Sequence, residues 1–61
     1  MNNLQLAEQI RGACIRAARE GFQEASMSGL CQEGAMEAAI SAMQSMDLKQ
    51  VLREVQNTGQ R

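Results

Sequence analysis

The side chains able to do chemistry in this sequence are few, and their types and spacing narrow what that chemistry can be. Cys14 and Cys31 are the only thiols, Glu33 and Glu37 stand one helical turn apart, Arg11 falls among apolar neighbours, and Ser28-Gly29 precedes an apolar segment. The 61 residues contain no His, Tyr, Trp or Pro. Without imidazole there is no histidine base or ligand, and the Ser–His and Cys–His nucleophile pairs cannot be built. Two Cys without His fall short of the tetrahedral ligand set of a structural zinc site. Glu33 and Glu37 resemble part of a carboxylate metal site, but bundle sites of that kind also need Glu-x-x-His on facing helices, and none exists here. The two carboxylates read as a solvated acidic stripe. The chain is therefore expected not to be an enzyme, and neither metal nor cofactor is expected.

Three helical segments account for the positions of these residues. Asn3 is a candidate N-cap for a first helix over residues 4–27, which holds good helix formers and no Pro. One side of its helical wheel collects Ala13, Leu6, Ala17, Ile10, Gly21 and Cys14, and continues through Ala7, Ala25, Ala18, Leu4, Phe22 and Ile15. This apolar arc covers roughly 200°, about twice the stripe that a surface helix buries. Ser26-Met27-Ser28-Gly29 breaks the pattern, and Ser28 is the candidate cap of a second helix over residues 30–46. Its apolar arc is as wide and splits into a small-residue flank (Ala38, Cys31, Ala42, Ala35) and a flank bearing Met36, Ile40 and Met43. Asp47 followed by Gln50 has the form of a capping box for a third helix over residues 48–56, with Leu48, Val51, Leu52 and Val55 as its stripe. That segment also reads as a continuation of the second helix with a kink at residues 45–47.

The width of both apolar arcs bears on assembly. The small flank of the second helix allows close approach to Ala13, Ala17 and Gly21 of the first. A face bearing Leu4, Ile15, Phe22, Met36, Ile40 and Met43 is then left for other cover, and a short third helix covers only part of it. A second copy supplies the rest, because a self-complementary patch closes into a dimer. The bland alternative is a third helix folded back over a hairpin whose Ala faces stay in water. The expected fold class is thus all-α: one domain over residues 1–61, an antiparallel helical hairpin plus a short third helix, completing a helical bundle by homodimerisation. Natural chains this short commonly lean on disulfides, metal or a second subunit. A turn near residue 28 separates Cys14 from Cys31 by more than roughly 10 Å of helix rise, beyond disulfide reach. Both read as small core hydrophobes, with Cys31 in a first turn that would favour a thiolate.

Net charge is −1, with a sequence pI near 5.2, so no basic field is present to gather nucleic acid. Charge is unevenly spread: residues 1–27 are neutral, 28–47 carry −3 and 48–61 carry +2. Lys49 and Arg53 make too small a patch for a DNA-binding reading. No apolar run reaches the length of a membrane span, and no basic segment leads into an apolar one at the N-terminus, so no signal peptide is expected. With two Cys and no secretion signal, the compartment reads as the cytoplasm. Arg11 must snorkel at an interface rim, pair with an acid of a partner chain, or bind an anion. With Ser28 and Gly29 at the start of the second helix, where exposed amides attract phosphate, it makes the candidate ligand set.

The block Gly29-Leu30-Cys31-Gln32-Glu33-Gly34-Ala35-Met36-Glu37-Ala38-Ala39-Ile40, followed by Met46-Asp47-Leu48, resembles a GLCxEGAxExA pattern in short uncharacterised bacterial helical proteins. In size and composition the chain is also similar to phage-encoded inhibitors of bacterial defence systems. The resemblance implies a small α-helical protein and transfers no activity or site residue. The expected function is that of a small cytoplasmic, homo-oligomeric binding protein, regulatory or inhibitory, acting through a macromolecular partner. The alternatives are an oligomer that holds an anionic, nucleotide-like ligand between subunits, and a purely structural assembly module.

Overall fold

The computed structural model describes the backbone of residues 2–59 and the side chains of residues 2–55. Three helices follow one another, α1 (Asn3–Met27), α2 (Gln32–Gln44) and α3 (Leu48–Gly59), with no strand among the described residues. None is long and apolar enough to cross a membrane.

The helix ends follow from local hydrogen bonding and move several expected boundaries. α1 is capped by Asn2 rather than Asn3: Asn2 Oδ1 accepts from the Gln5 amide at 2.8 Å, and Gln5 Oε1 accepts from the Asn2 amide at 3.2 Å. Two otherwise orphaned amides are satisfied by this reciprocal pair. At the other end Gly29 adopts φ +95°, its amide donates to Ser26 O at 3.1 Å, and the Leu30 amide donates to Ala25 O at 3.0 Å. That pattern is a Schellman closure, which needs a left-handed residue that glycine supplies without a Cβ penalty. Ser28 consequently closes α1 instead of capping α2. The cap of α2 falls to Cys31, which makes no side-chain capping bond, and the helix begins at Gln32, two residues later than expected.

α2 and α3 are separate helices rather than one kinked helix. The Ser45 hydroxyl and amide both donate to Ser41 O, at 2.8 and 2.9 Å, and close α2. Asp47 Oδ1 then accepts from the Gln50 amide at 3.2 Å and opens α3. α3 runs to Gly59, beyond the expected end at residue 56.

α1 and α2 pack closely along each other across the short connection of residues 28–31, as an antiparallel pair. The contact is set by small residues. A Cβ placed on Gly21 would lie 2.9 Å from Ala38 O, 2.9 Å from Ala42 Cβ and 3.3 Å from Ala39 Cα, so the backbones meet there more closely than any side chain permits. The expected small-residue seam is therefore present at Gly21, Ala38 and Ala42. α2 is little more than half as long as α1, and the remaining length of α1 is met by α3, which contacts α1 and not α2 among the described residues. The result measures 42 × 16 × 15 Å. Its radius of gyration is 13.7 Å, against about 10.5 Å for a compact domain of this length.

A rod this thin encloses little. Among the described residues the buried side chains are Ala25, Ala35 and Ala39, and no large side chain is fully enclosed. Cys14 is half-buried, but Cys31 is exposed, contrary to the expectation of a core position. The shift of the α2 start explains this: at the N-cap Cys31 precedes the helical periodicity that would have turned it toward α1. Neither cysteine is in a disulfide.

Candidate interaction surface

The residues expected to need cover lie on one face. On α1, Ile15, Ala18 and Phe22 are spaced i, i+3 and i+7; on α2, Met36, Ile40 and Met43 are spaced i, i+4 and i+7. Each stripe sits about 60–120° round its helix from the line of contact, which runs through Gly21 on α1 and between the buried Ala35 and Ala39 on α2, in the same rotational sense. Because the helices run antiparallel, that shared sense turns both stripes to the same side of the hairpin. An open groove lined by Ala18, Arg19, Phe22, Gln23 and Ala39 joins them, and a second depression on α2 is lined by Gln32, Glu33, Gly34, Met36, Glu37 and Ile40.

Most of this face lies in water. Exposure ranges from 37% at Met43, through 44% at Ile40 and 54% at Met36, to 69% at Leu4, with Ile15 also exposed. Phe22 is half-buried in the groove. Leu4 extends the α1 stripe past the end of α2, and Arg11, between Leu4 and Ile15 on the same arc, is exposed. Three further apolar residues outside the expected face, Met27, Leu30 and Leu48, are also exposed. Leu30 is expected to begin the second helix, whereas the Schellman closure puts it in the connection, where its side chain lies over Gly34. Met27 falls on the polar side of the α1 wheel, and Leu48 was counted in the inward stripe of α3.

The borders of the face differ in charge. Beside the α1 stripe stands Arg19, with Arg16 further round, while Glu33 and Glu37 border the α2 stripe; all four are exposed. Among the described residues no cluster of three or more Cys, Asp or Glu side chains comes together in a form that would hold a metal ion.

Within one chain, Arg11, Ser28 and Gly29 do not come together. The amides of Ser28, Gly29 and Leu30 all donate to α1 carbonyls, at 3.0, 3.1 and 3.0 Å. Arg11 lies well over a dozen residues back along α1, so by helix rise more than about 20 Å separates it from that loop. The free amides at the start of α2 begin after Cys31, not at Ser28. Compared with known proteins, the chain matches no family model, no curated protein and no solved structure.

Proposed function

We propose that this is a small non-enzymatic binding protein that self-associates through the hairpin's apolar face as a homodimer. In this reading it works in the cytoplasm as a regulatory or inhibitory protein, with the assembled dimer presented to a macromolecular partner. One observation carries it. The chain exposes 4997 Å² of surface, whereas a compact monomer of 6.7 kDa exposes about 3,900 Å². The difference, about 1,100 Å², is of the size that each partner contributes to a standard protein interface, about 800 Å². Five of the exposed large apolar residues, Leu4, Ile15, Met36, Ile40 and Met43, are gathered on one side, which is the signature of an interaction surface. The Met side chains on α2 suit such a face, because the unbranched thioether adapts to an opposing surface.

The likeness in size and composition to phage-encoded inhibitors of bacterial defence fits this reading and supplies a class of macromolecular partner to try first. The ligand-binding alternative has lost the amide cradle that would have recommended it, and no second observation favours it.

Sedimentation equilibrium and light scattering test the proposal directly. A mass of twice 6.7 kDa is expected at micromolar concentration. An Ile40→Glu chain, which places a carboxylate at the centre of the face, is expected to be monomeric with its helical circular dichroism retained. A wild-type chain that stays monomeric up to high micromolar concentration overturns the reading.

A further inference from the structure

Resting on the self-association just proposed, we infer that the two copies pack with α1 of each over α2 of the other, and that Arg19 pairs with the partner's Glu37. A closed dimer through this face has two possible symmetry axes in the interface plane. With the axis parallel to the helices, α1 lies over the partner's α2. With the axis perpendicular to them, α1 lies over its own copy, and so does α2.

Charge separates the two. Along the part of the face where α1 and α2 lie side by side, the α1 border carries Arg19, backed by Arg16, and the α2 border carries Glu33 and Glu37; Glu8, on the same α1 border, lies beyond the end of α2. In a perpendicular arrangement centred on that part, which alone covers the α2 stripe, basic border meets basic border and acidic meets acidic, and like charges brought together at an interface oppose association. In the parallel arrangement each basic border meets an acidic one, twice over by symmetry. The register fits as well. Gly21 stands level with Ala38 to Ala42, so Arg19 stands level with residues near 41. That leaves Glu37 about 6 Å away along the axis by helix rise, a distance that an arginine side chain spans. Phe22 and Ala18 then lie against the partner's Ile40 and Met43.

Charge reversal on the intact chain tests this arrangement. Arg19→Glu and Glu37→Arg, made singly, each set two like-charged pairs into the dimer and are expected to weaken it about tenfold, from the size of exposed ion pairs. The doubly reversed chain (R19E/E37R) restores both pairs with the signs exchanged and is expected to dimerise within about twofold of wild type. Dissociation constants from sedimentation at low salt, with circular dichroism of each variant, provide the readout. Single variants that dimerise as well as wild type, or a double variant that stays weak while folded, overturn the arrangement and leave self-association standing. Wild-type chain that is monomeric throughout removes both.

Discussion

Gly21 and Gly12 lie on the same helix, yet the same substitution in each should act in opposite directions. Replacing a mid-helix glycine by alanine removes backbone freedom from the unfolded chain and is worth up to about 1 kcal/mol of stability where space permits. At Gly12 space permits: a new Cβ would meet only Arg16 Nη1, at 3.7 Å. Gly12→Ala is expected to stabilise the protein by about 0.5–1 kcal/mol. At Gly21 the new Cβ would lie 2.9 Å from a backbone oxygen, Ala38 O, and 2.9 Å from Ala42 Cβ, both well inside ordinary contact. Neither atom belongs to a flexible side chain, so the two helices must spread. Overpacking of this kind costs about 1–3 kcal/mol and outweighs the propensity gain, leaving Gly21→Ala destabilised by about 1 kcal/mol. In a chain of this size that difference moves the melting temperature by about 4–8 °C. Thermal unfolding followed by far-ultraviolet circular dichroism, at one fixed protein concentration because association raises apparent stability, reads both variants. If Gly21→Ala melts as high as Gly12→Ala, the close approach of α1 and α2 at Gly21 is refuted, and with it the register on which the dimer arrangement rests.

Four further outcomes follow from the helix ends and the thiols. Gly29→Ala meets no steric neighbour but must hold φ +95°, so it is expected to destabilise the chain by about 1 kcal/mol, visible as a lower melting temperature. Asn2→Ala removes the acceptor for the Gln5 amide and is expected to cost about 1 kcal/mol, with amide exchange accelerated in the first turn of α1 and unchanged in α2. Cys31 is exposed and Cys14 half-buried, so a thiol reagent is expected to modify Cys31 first. Mild oxidation of the monomeric Ile40→Glu chain is expected to produce no intramolecular Cys14–Cys31 bridge, which peptide mapping by mass spectrometry detects.

Much of the fold was legible because helix formation and amphipathicity are local properties. The spacing of Leu6, Ile10, Ala13, Ala17 and Gly21 marks one side of a long helix whatever surrounds it. The wide arcs of α1 and α2 pointed to the face that is left in water, and Leu4, Ile15, Met36, Ile40 and Met43 are exposed on it. Helix ends were less legible, because more than one residue can serve. Asn2 and Asn3 are both competent caps, and the choice falls to the one from which Gln5 can reach back. Ser28 has the composition of an N-cap, but its backbone is committed to closing α1. The state of the Ser28 and Gly29 amides was illegible for the same reason: they attract an anion only if free, and side-chain types do not reveal that both donate to α1 carbonyls.

The sequence by itself determined an all-helical chain, the break at Ser28-Gly29, the poverty of catalytic groups and the excess of apolar width, since each depends on residue type and on spacing within one helix, whereas the separation of α3 from α2 came from the structure. The tertiary structure decided the rest. Which part of each 200° arc is covered depends on where α1 and α2 touch, and that point is set by the absence of a side chain at Gly21 facing the backbone of Ala38. Once the contact is placed there, the antiparallel course of the helices brings Phe22 and Ile15 onto the same side as Met36, Ile40 and Met43, with Arg19 along one border and Glu37 along the other. Periodicity along one helix cannot specify that alignment, because it is a relation between two helices and is fixed only where their backbones meet.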